Sequence, residues 1–304
     1  FNAGMSNELF PLLLFIGIGA MIDFGPLLEK PWLMLFGAAA QFGIFITLVL
    51  AGLFFDLPDA ASIAVIGAAE GPTALGVANT LGSKYLGAIM VAAYSYMALV
   101  PIVQPPVIKL CTTRKERLIR MPYQKGSVSK TPKILFPSVV TVLAGRVAPA
   151  SVALVGLWMF GNLLRECGVL NALSETAQNV LANLITIVLG LTVAGQMTAD
   201  KFVQPDTLLI LALGLVAFIF DTAGGVLFAK LLNLFLPEGK KINPMIGAAG
   251  ISAFPMSGRV VNQMGLAEDN QNFLLMYSIS VNVSGQIASV IAGGLILTLM
   301  NGYL

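Results

Sequence analysis

The chain has 304 residues, of which 57% are hydrophobic and only 11% are charged, and its mean hydropathy is +0.87. This composition excludes an ordinary soluble domain and predicts a protein that crosses a membrane several times. The formal net charge of +2 is uninformative about nucleic acid, and we expect no nucleic-acid partner for a membrane protein of this kind. The absence of histidine excludes imidazole as a catalytic base, metal ligand or proton relay, which leaves carboxylates, phenols, lysines and bound water.

Apolar runs recur along the whole chain. A helix rises about 1.5 Å per residue, so roughly 20 apolar residues cross the hydrocarbon core of a bilayer. Only helices and closed barrels satisfy the backbone in lipid, and alternation with a period of two is absent, so we predict an all-α, polytopic bundle of membrane helices. The apolar runs lie near residues 9–22, 32–55, 85–108, 150–164, 179–198, 206–236 and 271–300.

Two further segments, 60–80 and 243–262, are moderately apolar but interrupted by glycine, proline and polar residues. We predict that each is a broken helix, with non-helical backbone at about 70–73 and 247–255. We also expect the two breaks to lie close together inside the bundle. In transporters, unwound carbonyls and half-helix ends at such breaks form ion sites.

Basic residues are concentrated in one loop. Between Lys109 and Lys133 the chain has eight basic residues and one acid, Glu116. By the positive-inside rule this loop faces the cytoplasm, and it can also serve as a docking site for a partner. We therefore divide the chain into a first membrane repeat, a basic cytoplasmic loop and a second, inverted repeat. Because the chain starts at Phe1, we expect the N-terminal part of the first repeat to be missing. The three units are residues 1–110, 111–134 and 135–304.

Three motifs of the first half recur in the same order in the second. If 135–164 is one kinked crossing, five segments separate each helix from its copy, and the copies form an inverted-topology repeat. If Pro149 instead divides this segment into two short crossings, the same count makes the repeat parallel. The paired motifs are IGIGAMIDFGPLLEKP (16–31) with LGLTVAGQMTADKFVQP (189–205), IGAAEGPTA (66–74) with IGAAGISAFP (246–255), and AAYSYMALV (92–100) with LMYSISVNV (275–283).

Glu70 is the acid at the first break. A charged side chain at membrane depth costs roughly 2.5 kcal/mol or more, and such residues usually line ion or proton paths. Glu70 can supply the negative charge that a cation needs, or it can be a protonated acid bonded to a neighbouring helix. One stripe of neutral polar residues on a later helix suits a small hard cation, although helix–helix hydrogen bonding is the alternative. This stripe consists of Ser278, Asn282, Gln286 and Ser289.

An arginine and two tyrosines are further candidates for the functional site. Arg259 lies about one turn past the second break, where a buried guanidinium would need an anionic partner and can hold a carboxylate by two hydrogen bonds. Its alternative role is an interfacial charge that fixes topology. Tyr94 and Tyr96 follow the first break and can give a proton or ligate an ion, although tyrosines in membrane proteins are more often interfacial anchors.

Five ordered motifs together resemble one family, the beta subunits of the sodium-pumping, biotin-dependent decarboxylases. This group includes oxaloacetate, methylmalonyl-CoA, glutaconyl-CoA and malonate decarboxylases. The similarity covers essentially the whole chain and suggests that the full subunit has a further N-terminal segment. The motifs are GAAEGPTA, AAYSYMALVPIVQPP, WMFGNLLRECGVL, NPMIGAAGISAFPMSGRVV and SVNVSGQIASVIAGG.

The resemblance implies an activity and a setting. A beta subunit of this family decarboxylates carboxybiotin and couples that step to sodium export, with uptake of an external proton. The implied cofactors are a sodium ion and the carboxybiotin, which a partner subunit carries. The implied partners are a carboxyltransferase and biotin-carrier (alpha) subunit, a small membrane (gamma or delta) subunit, membrane lipid and further beta subunits in a homo-oligomer. The implied location is the bacterial cytoplasmic (inner) membrane, with several crossings.

The resemblance also assigns roles to matching residues. The implied catalytic residues are Glu70, Tyr96, Ser252 and Arg259. The implied contacts with carboxybiotin are Arg259, which holds its carboxylate, and Asn243. The implied sodium ligands are Glu70, Asn243, Gly247, Asn282 and Ser289. The family usually has Asp where this chain has Glu70, and the extra methylene can change the sodium geometry, the affinity or the coupling.

Two other functions stay open on the sequence alone. A sodium-coupled secondary transporter, such as an organic-anion symporter or a sodium/proton antiporter, would use the same repeat without biotin. A non-catalytic membrane anchor for a soluble enzyme would leave Glu70 and Arg259 dispensable. Decarboxylation of carboxybiotin by the purified complex separates the enzyme from both.

Overall fold

The computed structural model describes residues 9–122, 128–196 and 203–300, together with the single residues 4 and 126. This part of the chain is helical and contains no β-strand, so the predicted all-α class is confirmed. Within it, five helical stretches are long and apolar enough to cross a membrane, which makes the chain a multi-pass membrane protein. They are Pro31–Ala51, Leu86–Cys111, Asn171–Thr192, Pro205–Phe235 and Leu275–Met300.

We number the helices in chain order. The first half contains α1 (Leu9–Met21), α2 (Gly25–Glu29), α3 (Met34–Ala40), α4 (Phe42–Ala51), α5 (Leu57–Ala64), α6 (Gly71–Thr80) and α7 (Leu86–Cys111). A short helix, α8 (Arg114–Arg117), follows in the basic loop. The second half contains α9 (Lys130–Val147), α10 (Val152–Glu166), α11 (Asn171–Thr176), α12 (Ala182–Gln196), α13 (Pro205–Phe235), α14 (Met245–Ala248), α15 (Met256–Glu268) and α16 (Leu275–Met300). Short 3₁₀ segments cover Pro31–Leu33, Val65–Ala68, Pro149–Ser151 and Glu238–Lys240, and a π-helical turn covers Ala177–Leu181.

The first predicted broken helix is a hairpin, which we call the first hairpin (residues 57–80). It consists of α5, the turn Val65–Ala68 and α6. Its two ends meet, because Ser83 Oγ donates to Asp59 Oδ1 over 2.7 Å and Lys84 Nζ lies 3.0 Å from Asp56 Oδ2. The ten residues of α6 span about 15 Å, half of a hydrocarbon core of roughly 30 Å. The first hairpin therefore enters the bundle and returns to the same end.

The second broken helix is also a hairpin, the second hairpin (residues 245–268), formed by α14 and α15. Both of its ends contact the basic loop. Asn243 Nδ2 donates to the carbonyls of Arg117 and Ile119, each over 2.9 Å, and Arg117 Nε lies 2.6 Å from Glu268 Oε1. The 13 residues of α15 span about 20 Å, so this hairpin also returns to the end where it began.

The hairpins enter from opposite ends of the bundle, as the long helix α13 demonstrates. Near its start, Asp206 Oδ2 accepts a hydrogen bond of 2.8 Å from Tyr85, which follows the first hairpin. Near its end, Lys230 Nζ lies 3.3 Å from Glu116 Oε1 of the basic loop. The helix between Asp206 and Lys230 is about 36 Å long. We call the end with loop 112–122 the basic end and the other the opposite end.

The two hairpins meet at their tips, as predicted. Ser252 N donates to the carbonyl of Ala68 over 3.3 Å, and Ser252 Oγ donates to the same oxygen. The second break lies at 249–255, close to the expected 247–255. The first break is shorter than expected and covers only residues 69–70. The expectation of non-helical backbone through 73 was wrong because Pro72 lies in the first turn of α6, where its missing N–H has no helical partner in any case.

Residues 135–164 do not form one kinked crossing. They belong to α9 and α10, which pack antiparallel on each other, since a Cβ on Gly156 would lie 3.6 Å from Thr141 and one on Gly145 would lie 3.1 Å from Val152. Pro149 ends the first helix because proline cannot continue it. The assumption of one kinked crossing was thus wrong, and the count also took each broken helix as a crossing, whereas both hairpins return. The inverted relation of the halves stays a prediction, and residues 197–202 of the second copy of the first motif lie outside the described residues.

Candidate functional site

Glu70 lies at the tip of the first hairpin. The preceding residue, Ala69, has the left-handed conformation (φ +50°), which costs an L-residue roughly 1–2 kcal/mol. Glu70 itself is extended (φ −134°, ψ 105°) and is the N-cap residue of α6. Its side chain is 3% exposed. The local backbone thus turns a carboxylate into the bundle at the amino end of a helix, where free N–H groups favour negative charge.

The two carboxylate oxygens of Glu70 have different surroundings. Oε2 accepts hydrogen bonds of 2.9 Å from Thr73 Oγ1 and of 2.9 Å from Ser289 Oγ. Oε1 is buried and has no hydrogen-bond partner among the described residues. A buried polar atom without a partner costs about 1–3 kcal/mol. The arrangement therefore suits a bound proton or a small cation at Oε1.

The predicted polar stripe on α16 faces the hairpin tips. Asn282 Nδ2 donates to the carbonyl of Ile251 in the second tip over 2.6 Å, and Ser289 reaches Glu70 in the first. Asn282 Oδ1 and Gln286 Oε1 are buried and have no partner in the described part of the chain. Asn282 and Ser289 are about 10 Å apart along the helix, so the stripe follows both tips rather than converging on one atom. Ser278 instead bonds to Leu274 O of its own helix over 2.9 Å.

The two candidate tyrosines point to different elements. The hydroxyl of Tyr96 donates to the carbonyl of Leu211 in α13, and its ring stacks on Phe218 with 6.4 Å between ring centroids. The ring of Tyr94 lies against Gly71, where a Cβ would be 2.2 Å from the ring. The buried Tyr94 hydroxyl has no partner among the described residues. The tyrosine next to Glu70 is therefore Tyr94, whereas the family resemblance favoured Tyr96.

Two expected sodium ligands make other contacts. Both amide hydrogens of Asn243 go to carbonyls of the basic loop, and its Oδ1 accepts from Met245 N over 3.0 Å. Gly247 lies where α14 crosses α13, since a Cβ there would be 2.0 Å from the carbonyl of Gly225. The structure therefore brings together Glu70, Ser252, Asn282 and Ser289 at the tips, but assigns Asn243 to the basic end and Gly247 to helix packing.

Arg259 differs from the expected buried guanidinium. It is exposed, and its guanidinium forms no hydrogen bond or ion pair with any residue in the described ranges. Its neighbours on α15 explain this orientation, because Gly258 packs against Ile279 of α16 and Val260 is buried. Arg259 therefore projects from the outer face of the second hairpin, about one turn from its tip, and its guanidinium is free to bind an anion.

A family model described as the Na+-transporting oxaloacetate decarboxylase beta subunit matches residues 1–300 of this chain. The chain belongs to this family. It is 53% identical over 304 residues to the oxaloacetate decarboxylase beta chain of Klebsiella pneumoniae, covering 98% of this chain and 70% of that protein. It is also 50% identical over 293 residues to the methylmalonyl-CoA decarboxylase subunit beta of Propionigenium modestum, covering 96% of this chain and 73% of that protein. The corresponding subunit of Veillonella parvula is 48% identical over 303 residues, with coverage of 99% and 80%.

Two polar residues of this decarboxylase beta-subunit chain were not predicted from the sequence. Thr73 lies beside Glu70 and is recognisable as a hydroxyl one turn after it. Asp221 is a second carboxylate, 1% exposed, in the middle of α13. The sequence carries a signal for it, because Asp221 is an acid inside the apolar run 206–236.

Proposed function

We propose that this chain decarboxylates carboxybiotin and uses that step to export sodium in exchange for a proton. The main support is the buried carboxylate of Glu70 where the two tips meet, with one oxygen bonded to Thr73 and Ser289 and the other without a partner in the described part of the chain. An unpaired charge is costly in such a place, so the carboxylate holds either a proton or a cation. A site that holds either ion in turn can exchange one for the other.

In this proposal sodium is cargo, bound by oxygen atoms at the tips. Glu70 and Ser289 are ligands from the first hairpin and α16, whereas Asn282, about 10 Å from Ser289 along α16, offers the ion an Oδ1 at the second tip that has no partner among the described residues. Several oxygen ligands around one negative charge are what a small hard cation prefers. Asn243 and Gly247 support the site indirectly, because Asn243 fixes the start of the second hairpin and Gly247 lets α14 approach α13.

The exposed guanidinium of Arg259 binds the carboxylate of the substrate, for which its planar fork is suited. When the carbon–nitrogen bond breaks, carbon leaves as carbon dioxide and the electron pair stays on the ureido nitrogen, which takes up a proton. Two hydroxyl groups near Glu70 can pass that proton, those of Ser252 and Tyr94. Tyr96, the tyrosine favoured by the resemblance, joins α7 to α13 in this conformation.

We infer that the two membrane repeats, 1–110 and 135–304, are inverted copies joined by the cytoplasmic loop 111–134. The hairpins enter from opposite ends, and the helices that follow them run in opposite directions. Helix α7 begins beside Lys84 at the opposite end, and α16 begins beside Asn272, whose Nδ2 donates to Arg117 O of the basic loop over 2.9 Å. A shift of one half against the other opens the tips to each side in turn.

Membership of the family supports a proposed location and set of partners. The chain acts in the bacterial inner membrane with a carboxyltransferase and biotin-carrier (alpha) subunit, a small membrane (gamma or delta) subunit and further beta subunits. The relatives that support these partners are named as beta chains of oxaloacetate and methylmalonyl-CoA decarboxylases. The acid that feeds the cycle is selected by the carboxyltransferase subunit. The basic loop, at the end where the second hairpin begins, supports a cytoplasmic docking face for the carrier.

The test measures sodium binding and chemistry separately in the purified complex. Sodium at about 100 times its dissociation constant stabilises the binding state by about 2.7 kcal/mol, so it should raise the unfolding temperature of the wild type. Glu70→Gln should abolish this protection, and Glu70→Asp should retain it. Carbon dioxide release from added carboxybiotin should depend on sodium in the wild type.

Equal sodium protection of wild type and Glu70→Gln would remove Glu70 from the sodium site. Protection by sodium without any release of carbon dioxide would instead favour a sodium-coupled transporter. The two readouts therefore separate the ion site from the decarboxylation chemistry.

A further inference from the structure

Asp221 is a second buried carboxylate at the centre of the bundle. It is 1% exposed and lies more than about 20 Å from either end of the 31-residue helix α13. None of the ion pairs among the described residues includes it. The nearest basic residue of its own helix, Lys230, pairs with Glu116 of the basic loop. Asp221 therefore has no cation to balance an ionised carboxylate.

One oxygen of Asp221 is fully committed to the backbone. Oδ1 accepts a hydrogen bond of 2.6 Å from Gly43 N and one of 3.3 Å from Ile44 N. These N–H groups belong to the first turn of α4, just after the chain is interrupted at Gln41. The first N–H groups of a helix lack intrahelical partners, and in lipid they must find one. This contact gives Asp221 a structural role, but it does not explain the environment of the second carboxylate oxygen.

The second oxygen, Oδ2, is buried and has no hydrogen-bond partner among the described residues. It lies against Gly67 of the turn Val65–Ala68, where a Cβ would be 2.7 Å from Oδ2 and 2.7 Å from Ala217 Cβ. A metal ion needs several oxygen ligands, whereas a proton needs only one oxygen. Because Oδ2 has no polar partner among the described residues, it suits a proton rather than a metal ion.

The elements packed on α13 offer little to stabilise a charge at Asp221. Helices α3, α4 and α14 and the turn Val65–Ala68 contain no acidic or basic residue. Helix α7 has four titratable residues. The hydroxyl of Tyr96 is bonded to Leu211 O, and Tyr94 lies beside Gly71. Lys109 and Cys111 lie far along the helix. The acid on α5, Asp59, is bonded to Ser83 at the opposite end. The two N–H groups of α4 are thus the main polar contacts of Asp221.

The contact with Gly67 connects Asp221 to the tip that carries Glu70. Gly67 precedes Glu70 by three residues, and the carbonyl of the intervening Ala68 accepts both hydrogen bonds from Ser252. While the turn packs on α13, water has no access to Oδ2 through this contact. When the first tip moves away, water can reach the acid and take its proton. A change at either tip therefore alters the conditions for ionisation of Asp221.

We propose that Asp221 is a proton-binding site that is protonated while the turn Val65–Ala68 packs on α13 and loses its proton when the first tip moves. This inference rests on the contacts of Asp221 and does not require the proposed decarboxylation. It gives the bundle two ion-binding carboxylates that meet the same turn, Glu70 on the first hairpin and Asp221 on α13.

The experiment is an infrared comparison of the purified full complex near neutral pH. Asp221→Asn keeps the acceptor oxygen for α4 and puts an amide N–H₂ where the acid has its proton, so the fold should be retained. The wild-type spectrum minus that of Asp221→Asn should contain the carbonyl band of one protonated carboxyl group. The matched control is Asp206→Asn on the same helix, an exposed residue whose removal should subtract an ionised carboxylate. Loss of a carboxylate band in Asp221→Asn would overturn the proposal.

A second variant tests the link to the turn even if Asp221→Asn fails to fold. Gly67→Ala keeps Asp221 but puts a methyl group 2.7 Å from Oδ2, so the turn must separate from α13. The wild-type spectrum minus that of Gly67→Ala should then show a loss or shift of one protonated-carboxyl band. An unchanged band in folded Gly67→Ala would show that protonation does not depend on the turn and would overturn that part of the proposal.

Discussion

Ser289 Oγ lies 2.9 Å from Glu70 Oε2, and this hydrogen bond joins the last helix to the first hairpin across 219 positions of sequence. The same oxygen accepts from Thr73, so two hydroxyl groups converge on one side of the carboxylate. The other oxygen is thereby kept free of protein donors among the described residues. The site is assembled from both halves of the chain, and ion binding at Glu70 is linked to the relative position of those halves.

Ser289→Ala should weaken sodium binding about tenfold, because a hydrogen bond to a charged group contributes about 1.5 kcal/mol or more and 1.4 kcal/mol is a factor of ten. The measurement is the sodium concentration that raises the unfolding temperature halfway. The control is Ser280→Ala on the same helix, whose hydroxyl bonds to Met276 O of its own helix over 2.8 Å. Equal sodium affinities in the two variants would contradict a role for Ser289 at the ion site.

Tyr94→Phe and Tyr96→Phe should have opposite effects. Tyr94→Phe removes a hydroxyl that has no partner among the described residues, so stability should hold while carbon dioxide release falls about 100-fold, the scale of a lost proton-transfer group. Tyr96→Phe removes the bond to Leu211 O, so stability should fall by about 1 kcal/mol with a smaller effect on turnover. Thermal unfolding measures the stability of the two variants, and a carbon dioxide assay measures their turnover. The reverse pattern would return the catalytic role to Tyr96.

The all-α class and the importance of Glu70 could be predicted because both follow from local properties of the sequence. Long apolar runs must form helices in lipid, and an acid within such a run is usually functional because it is costly there. The return of the second hairpin could not be predicted, because residues 243–262 have the same composition whether they cross or turn back. The contacts of Asn243 and Glu268 with Arg117 show that this segment turns back.

The site was predictable only in part, for a similar reason. Tyr94 and Tyr96 are two residues apart and lie on different faces of α7, and the sequence does not say which face meets α13. The bond between Ser289 and Glu70 depends on the packing of distant elements. Arg259 was expected to be buried because it follows the break closely, but the packing of Gly258 on α16 turns its side chain outward.

Gly285→Ala should displace the second tip. A Cβ on Gly285 of α16 would lie 2.0 Å from the carbonyl of Gly250, which cannot move without its hairpin. Overpacking of this kind costs about 1–3 kcal/mol, so the unfolding temperature should fall and sodium protection should weaken. Gly190→Ala on α12 is the control, since no described atom lies within 4 Å of its Cβ and alanine favours the helix. Similar stability losses in both would mean that the contact with Gly250 does not matter.

Acid should loosen the basic loop through Glu116. Partial burial raises the pKa of Glu116, but the backbone N–H and hydroxyl of Thr113 and the ammonium of Lys230 outweigh it and hold the pKa below its ordinary value. A lowered pKa means that the contact stabilises the fold above the unfolded pKa of about 4.3 and is lost as the pH falls through the folded value. The contribution is under about 1 kcal/mol because the pair is partly exposed.

The check on Glu116 is the unfolding temperature of the complex between pH 6 and pH values below 4. The wild type should lose slightly more stability over this range than Glu116→Gln, which cannot titrate. Parallel curves for the two proteins would rule out Glu116 as a contributor.

Arg259→Ala should separate catalysis from sodium binding. Since the guanidinium of Arg259 is exposed and has no partner among the described residues, its removal breaks no hydrogen bond or ion pair there, and sodium protection should persist. Carbon dioxide release should fall at least about 100-fold, the scale of losing one charge-assisted group at a reacting centre. Arg259→Lys should recover only part of the rate, because an ammonium keeps the charge but loses the two-point contact. Arg146→Ala on α9 removes another exposed arginine and should leave both properties unchanged. If Arg259→Ala lost sodium protection together with catalysis, Arg259 would be holding the fold, and an unchanged rate would remove it from the mechanism.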